Sequence, residues 1–398
     1  MSEDSSFVEN QALLELRGEL DYRSNRLTNE FTDKFIFGGE INNELKDEVR
    51  DNGDETFRFG GEASAGLRFF NFADTIFKSK PNLGLMVNLS THWHARASFS
   101  ENFYGMAMYG NRSFASSNVA LDPISADYFA WQQAGVGIFH KPTLSFVSVD
   151  VINGQSFSSL LVSGADLYTS PDGDELTIGL SAEMNESDTL FSGFGVSNGV
   201  GSAINARINL PLKEDKGFVS LQLHDFGFIN WNEYSLHHQS NTTYSFSGVD
   251  INDVFSDENE VQFPSIQDTL FEETTVSQRT TFLPGRIVAT LNHRIVEDGF
   301  YTLGIEFIPV SEYVPLGRVG YSHFLSERMI VGANAEYGGY GNFRAGLHFQ
   351  WWTESNWYLQ LRVTDVPGLF LPEAKGRGAQ FVISKFFKSR NDRERTKN

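Results

Sequence analysis

The sequence predicts an all-β fold, a single transmembrane antiparallel β-barrel with an even number of strands, about 14 to 18. Three observations support this prediction. Apolar and polar residues alternate along most of the 398-residue chain, aromatic residues bracket the alternating segments, and only 11 residues are Pro. Alternation gives a strand two chemically different faces, and a low proline content leaves strands uninterrupted. No window holds the roughly 20 apolar residues that a membrane-spanning helix requires.

Composition excludes several classes of protein. The chain has 31 Lys+Arg and 51 Asp+Glu, a formal net charge of −20, so we expect no nucleic-acid partner. It has no Cys, which excludes disulfides, thiolate metal sites and cysteine nucleophiles. Aromatic residues make up 14% and charged residues 21%, which is not the composition of a disordered chain. The sequence indicates no cofactor and no enzymatic activity.

The chain divides into three parts. Residues 1–10 are acidic and polar, so we expect a disordered N-terminus without a signal peptide. Either the protein is intracellular, or its signal has been removed before Met1. We expect the barrel to span residues 11–387. Residues 388–398 are basic and polar and are predicted to form a flexible tail.

Segments with a period of two are read as strands in chain order. Between Phe57 and Phe69 the odd positions are apolar or small, and the even positions carry Arg, Glu, Ser and Gly. Residues 83–99 repeat the pattern over a length that is unusual for a soluble sheet. The other alternating segments are 176–184, 204–210, 287–295, 301–307, 329–338, 343–352, 357–364 and 379–387.

The polar face of these strands favours a membrane barrel over a soluble sandwich. The solvent face of a sandwich would be rich in Lys and Glu, whereas here the polar positions carry Gly, Ser, Asn, Gln, Arg and His. Such a mixed polar face is typical of a barrel interior. Barrels of this kind have short periplasmic turns and long outer loops, so we expect residues 233–284 to form a long extracellular loop.

Charged residues and histidines at inward positions are the candidate lumen lining. They are Arg58, Glu62, Arg68, His92, His94, Arg96, Arg207, Arg286, Arg294, Glu306, Arg344, His348 and Arg362. They are either a selectivity lining or a set of cross-strand ion pairs that fill the lumen, and the mixed signs on neighbouring strands favour the ion pairs. His92 and His94 have no local carboxylate neighbour, so we expect a polar lumen wall there and no metal site.

An aromatic group near an outer strand end is the candidate interface. Phe226, Phe228 and Trp231 either bind a partner or hydrophobic ligand or act as interfacial anchors, and anchors are the default for aromatics at that height.

Several motifs resemble a family of outer-membrane barrels of Bacteroidota whose function is not established. The run His224 to Asn232 is similar to that family's DxGFIxW strand end, and Tyr244 to Ile251 is similar to its YxFxGVDI segment. Tyr109-Gly110-Asn111 and the run Thr364 to Phe370 also match. The resemblance covers roughly residues 82–387. The family resembles long-chain fatty-acid transporter barrels and accessory barrels of type IX secretion and gliding, which implies an outer-membrane location and no catalytic residues.

Two functions follow as hypotheses. The first is a non-enzymatic accessory or scaffold barrel of a surface secretion or gliding-type assembly, with outer-membrane lipid and envelope proteins as partners. The alternative is an outer-membrane transporter or channel for hydrophobic or small solutes. A soluble carbohydrate-binding or hydrolytic β protein is a third reading, which the outward apolar faces of the strands disfavour.

Overall fold

The computed structural model describes residues 10–51, 56–73, 77, 79–172, 175–188, 193–246, 271 and 273–388. The predicted disordered N-terminus (except Asn10), the tail after Lys388 and residues 247–270 of the predicted loop lie outside the described residues. Among the helices described, none combines the length and apolarity needed to cross a membrane.

The described residues form 19 strands and four short α-helices, named here in chain order. The strands are β1 (Asn10–Ser24), β2 (Thr56–Asn71), β3 (Leu83–Ser100), β4 (Asn118–Ala120), β5 (Ile124–His140), β6 (Ser145–Thr169), β7 (Leu176–Glu186), β8 (Gly199–Pro211), β9 (Gly217–Trp231), β10 (Leu236–Phe246), β11 (Glu273–Val276), β12 (Arg279–Phe282), β13 (Arg286–Val296), β14 (Gly299–Phe307), β15 (Val314–Ser326), β16 (Met329–Gly339), β17 (Phe343–Trp352), β18 (Trp357–Val363) and β19 (Gly376–Lys388). The helices are α1 (Asn29–Phe37), α2 (Asn43–Asp51), α3 (Glu101–Tyr109) and α4 (Val366–Phe370).

Fourteen of these strands close a ring, which confirms the predicted barrel and its even strand number. The first and last strands pair antiparallel from Asn10 opposite Lys388 to Arg23 opposite Gly376, so the sheet has no open seam between them. The ring runs β1, β2, β3, β5, β6, β8, β9, and then β13 to β19. Closure pairs the strand edges that would otherwise be exposed.

The other strands build an extension of the sheet at one end of the barrel. Strand β6 has 25 residues; its first half pairs with β8 and its second half with β7. Strand β10 pairs with β7 and β11, and β12 pairs with the end of β9. The sequence predicts one long loop over residues 233–284, but the described residues of this range include β10, β11 and β12. The reason is that Leu236 to Phe246 finds paired backbone partners along β7.

The two ends of the barrel differ. The described strand connections at the end with both termini are mostly short turns, such as Glu297-Asp298 between β13 and β14. The opposite end carries the helices and the sheet extension, and we call it the outer end. Its helices begin with local caps: the Thr28 side chain accepts from Phe31 N, and that of Ser100 from Phe103 N. These caps satisfy backbone donors that the first helical turn leaves unpaired.

Side chains alternate between the two faces of the wall, as the sequence predicts. In β2, Ala65, Leu67 and Phe69 are exposed on the outside, while Arg68 and Phe70 are buried inside. A one-residue shift would exchange all of these environments, so the apolar outer face fixes the register.

Candidate functional site: the barrel lumen

The densest group of charges in the lumen surrounds Glu336 of β16. Its side chain is fully buried, and four arginines approach its carboxylate. The separations are 2.6 Å from Arg318 Nε, 3.4 Å from Arg344 Nη2 and 3.7 Å from Arg23 Nη1, and Arg362 is also bonded to it. Asp21 balances part of this positive charge, since it lies 2.7 Å from Arg23 Nε and 3.0 Å from Arg344 Nη1.

A second group of ion pairs crosses the lumen. Arg286 projects from β13, and its Nη2 lies 2.6 Å from Glu62 Oε2 on β2. Its Nη1 lies 3.8 Å from Glu19 on β1 and 3.9 Å from Glu306 on the neighbouring β14. Strands β1 and β13 stand on opposite sides of the ring. These contacts therefore connect opposite walls through the middle of the barrel.

Two tyrosines from connections at the outer end fold over these charges. Tyr313 donates a 2.8 Å hydrogen bond to Glu306, and its ring meets Tyr340 edge to face at 5.1 Å. The hydroxyl of Tyr340 lies 3.3 Å from His94 Nε2, and His94 Nδ1 lies 3.4 Å from Glu62. Burial raises the pKa of both phenols well above the usual value, and the nearby carboxylates raise it further. Both tyrosines are therefore neutral at physiological pH, and Tyr313 donates its hydroxyl proton to Glu306.

Tyr340 fits into the lumen because β2 has a glycine at the point of contact. A Cβ built on Gly60 would overlap the Tyr340 ring. We call Asp21, Arg23, Glu62, Arg286, Glu306, Arg318, Glu336, Arg344 and Arg362 the charged cluster. Between it and the two tyrosines lies a cavity of about 10 Å³, lined in part by Asp21, Arg23 and Gly60. That is about the space of one water molecule.

A bulge in β9 brings a further carboxylate inward. Asp225 has φ 52°, the left-handed conformation that Asp tolerates better than most residues. Its backbone N donates to Asn205 Oδ1 at 2.9 Å. Its carboxylate accepts from Gln133 Nε2 at 2.9 Å and lies 3.8 Å from His92 Nδ1. His92 stacks on Trp131 with 5.0 Å between ring centroids.

The rest of the lumen contains apolar side chains. One group, which we call the apolar cluster, consists of Phe129, Trp131, Ile152, Phe157, Ala203, Ile229, Trp231 and Leu283. A second group lies toward the end with the termini and consists of Leu13, Phe70, Met86, Phe139 and Phe146, with Phe72, Leu144 and Phe386 packed against it. Since both groups lie on the inner side of the wall, apolar packing and ion pairs together fill the lumen.

The structure gathers most of the predicted lumen residues around this interior. Arg344, Arg362, Arg286, Glu62 and Glu306 belong to the charged cluster, and His94 contacts it. Arg96 pairs with Asp127 and also donates to the Ser311 carbonyl at 3.3 Å. Three other predicted residues have partners outside the charged cluster. The guanidinium groups of Arg68 and Arg207 lie over the Phe146 ring, and His348 Nε2 lies 3.0 Å from Ser322 Oγ. Arg58 occupies a half-buried position in β2.

Two predicted residues lie elsewhere. Arg294 is exposed at the end with the termini, where it donates to the Glu297 carbonyl. Trp231, grouped in the sequence with Phe226 and Phe228 as an interface, is fully buried, and its Nε1 donates to Thr281 Oγ1 at 2.8 Å. Phe226 and Phe228 are 54% and 37% exposed on the outside. Trp231 is an odd number of residues from Phe226 and Phe228, so alternation puts it on the opposite face of β9. The bulge at Asp225 shifts the alternation by one residue and makes that face the inner one.

Five further lumen residues are not among those predicted from the sequence: Glu19, Asp21, Arg23, Arg318 and Asp225. A signal for the first three was present, since β1 alternates Leu14, Leu16, Leu20 and Tyr22 with charged residues. Within the described residues, no group of three His, Asp or Glu is placed to hold a metal ion.

A larger cavity, of about 740 Å³, lies on the outer surface of the wall. Its lining is mainly apolar and includes Leu67, Leu89, Val151 and Val200, with Phe194 from the connection before β8 at its edge. The inward-facing Ser90 and Gln133 also contribute to it.

One family model matches the chain over residues 146–351 and is described as a family of unknown function (DUF5723). The predicted resemblance to a family without an established function is thereby confirmed, over a shorter range than expected. The Bacteroidota source and the relation to type IX secretion stay predictions. No curated protein matches the sequence.

Solved structures of outer-membrane barrels are similar in general architecture. The toluene transporter TodX of P. putida is 8% identical, with a TM-score of 0.39 and coverage of 96% of this chain and 92% of TodX. A FadL homologue of Pseudomonas aeruginosa is 8% identical, with a TM-score of 0.38 and coverage of 94% of this chain and 89% of the homologue. The translocator domain of the autotransporter NalP from Neisseria meningitidis is 8% identical, with a TM-score of 0.32 and coverage of 95% of this chain and 89% of the NalP domain.

Proposed function

The chain belongs to the family of unknown function DUF5723, and from that premise we propose that it is a non-enzymatic outer-membrane β-barrel that serves as an accessory or scaffold component of a surface secretion or gliding-type assembly. Two features of the barrel fit a lipid environment. Its outward face is apolar, and its closure satisfies the backbone hydrogen bonds internally. Its partners are outer-membrane lipid and envelope proteins.

One observation carries this proposal: Arg286 bridges to Glu62 and Glu19 across the lumen. A diffusing solute would have to break these contacts and displace the apolar side chains on either side of them. The bridges therefore support a structural role more strongly than steady conduction.

The sheet extension at the outer end supplies a surface for a partner. Tyr234 and Val276 are 58% and 59% exposed there. They lie close together, because Val276 pairs with Leu236 and Ser277 N donates to the Ser235 carbonyl at 3.0 Å. Exposed apolar groups on an otherwise polar surface are typical of interaction sites.

The experiment is a pull-down of the tagged protein from native membranes, followed by mass spectrometry. We expect an envelope protein at near-stoichiometric yield, and a lower yield with the double variant Tyr234→Ala, Val276→Ala. The matched control is Glu354→Ala, at an exposed turn on the opposite end, which should retain the partner. Recovery of a lone barrel, with the extension variant unchanged, would contradict the proposal.

The alternative function, transport of hydrophobic or small solutes, rests on the cavity of about 740 Å³. Its mainly apolar lining is typical of small-molecule sites. A protein that uses this cavity should co-purify with a lipid or other apolar molecule, and the variant Val151→Trp should reduce its amount. An empty cavity in the purified protein, measured by mass spectrometry of extracted lipids, would argue against transport by this route.

A further inference from the structure

Helix α1 lies against the outer surface of the barrel wall, at its outer end. Arg377 lies on the outward face of β19, the same face as Phe381, which is 38% exposed. Its guanidinium binds Asp33 of α1 through two hydrogen bonds, of 2.7 and 2.8 Å. Tyr22, which points outward from β1, donates a 2.6 Å hydrogen bond to Asn29 at the start of α1. These contacts place α1 on the side of the wall that would face lipid.

The burial of Phe57 leads to the same conclusion. Phe57 occupies an outward position of β2 and is fully buried, whereas Leu67 and Phe69, outward on the same strand, are each 39% exposed. The residues that cover Phe57 include Phe31 of α1 and Tyr104 of α3. Helices α1 to α3 therefore form a cover on the outside of the wall and do not plug the lumen.

The end of α1 leaves large apolar side chains uncovered. Phe35 is 65%, Ile36 60% and Phe37 83% exposed. The α4 segment, bonded to α1 through Glu30 N and the Pro372 carbonyl, adds Leu369, Phe370 and Leu371 at 49%, 78% and 52% exposure. We call these six residues the rim patch. Large exposed apolar groups of this kind mark contact with a membrane or a protein.

The length of the neighbouring strand favours lipid as the occupant. Strand β18 has seven residues, so at about 3.3 Å per residue and a tilt of about 40° it spans about 18 Å of a membrane. The apolar band of an outer-membrane barrel is about 25 Å tall. Helix α4 begins three residues after β18 ends, so Leu369 to Leu371 extend the apolar surface where the strand is short.

We propose that the rim patch inserts into the outer leaflet of the membrane and anchors the α1–α3 cover to lipid. This inference rests on the proposed outer-membrane location. On the same outward face of β1 as Tyr22, Leu20 is 65% exposed. Amphipathic helices that lie in the interface are stabilised by burial of such side chains in the acyl region.

The absence of Cys from the chain allows a direct test. Single variants Phe37→Cys and Phe370→Cys carry a nitroxide label in phospholipid vesicles, and collision rates with oxygen and with a water-soluble nickel complex are measured by electron paramagnetic resonance. Leu20→Cys is the lipid-facing control and Glu354→Cys the water-facing control. If Phe37→Cys fails to fold by the heat-shifted gel mobility of barrels, Ile36→Cys replaces it.

The expected result is an oxygen-to-nickel ratio at Phe37 and Phe370 similar to that at Leu20 and several-fold above that at Glu354. A water-like ratio at the rim patch with a lipid-like ratio at Leu20 overturns the inference and leaves the barrel placement intact. Protection from both reagents overturns it in favour of a protein occupant. A water-like ratio at Leu20 contradicts the outer-membrane location itself.

Discussion

The charged cluster and the apolar cluster occupy the same lumen but fill it by different means. The charged cluster joins distant strands through long side chains, as in the contact of Arg286 with Glu62. The apolar cluster fills its space by direct packing of rings, such as Phe157 of β6 stacked on Trp231 of β9 with 5.5 Å between centroids.

The difference shows what each kind of filling requires. A buried carboxylate such as Glu336 is stable only while its guanidinium partners remain, because an unpaired buried charge is costly. The apolar cluster depends on volume, since each lost ring leaves a cavity. The four substitutions below separate these requirements. Each is measured as a change in the free energy of unfolding, by urea titration in lipid vesicles.

The largest loss is expected for Glu336→Ala, which leaves four arginines around a missing carboxylate. Breaking a buried ion pair from one side costs about 3–5 kcal/mol. The control is Glu354→Ala, which removes an exposed pair with Arg328 at 2.6 Å. Exposed pairs of this kind contribute little to stability, because water and salt screen them. Equal losses for both variants would contradict the role given to the charged cluster.

Trp231→Ala tests the apolar cluster. The ring is fully buried, and truncation of a buried Trp costs about 3–5 kcal/mol. Phe226→Ala on the outward face of the same strand is the matched control and should cost less. The account fails if the control is the more damaging of the two.

Gly60→Val tests how closely Tyr340 approaches the wall. Overpacking of this kind costs about 1–3 kcal/mol. Gly61→Ala, on the adjacent outward position, is the control, because its new Cβ would meet Tyr22 Cβ at an ordinary 3.5 Å. A neutral Gly60→Val would show that Tyr340 does not occupy the lumen.

Tyr340→Phe is expected to have the smallest effect. It keeps the ring and removes the hydroxyl that lies 3.3 Å from His94, a hydrogen bond that contributes about 0.5–1.5 kcal/mol. A loss as large as that of Glu336→Ala would mean that the hydroxyl has a further partner.

Much of the fold follows from local alternation, which is why the barrel and the inward position of residues such as Arg344 could be predicted. The even strand number follows from the general rule for single-chain bacterial barrels. Partners across the lumen could not be. Arg286 and Glu62 are 224 positions apart, and their contact depends on the closure and circumference of the ring. Periodicity along a single strand contains no information about either.

The bulge at Asp225 illustrates a second limit. Phe226, Phe228 and Trp231 share aromatic character, but the odd spacing of Trp231 puts it on the other face of β9, and the extra residue at the bulge turns that face inward. Similarly, residues 233–284 have the acidic composition of a loop, and only pairing with β7 and β9 shows that part of the range forms strands.

Ion pairs and apolar packing together close the lumen. The most direct test of this closure is the conductance of the purified protein in planar lipid bilayers. We expect no stepwise current above the leak of the bare membrane for the natural sequence, and openings for the double variant Arg286→Ala, Glu336→Ala if it folds. Steady open channels with the natural sequence would contradict the account.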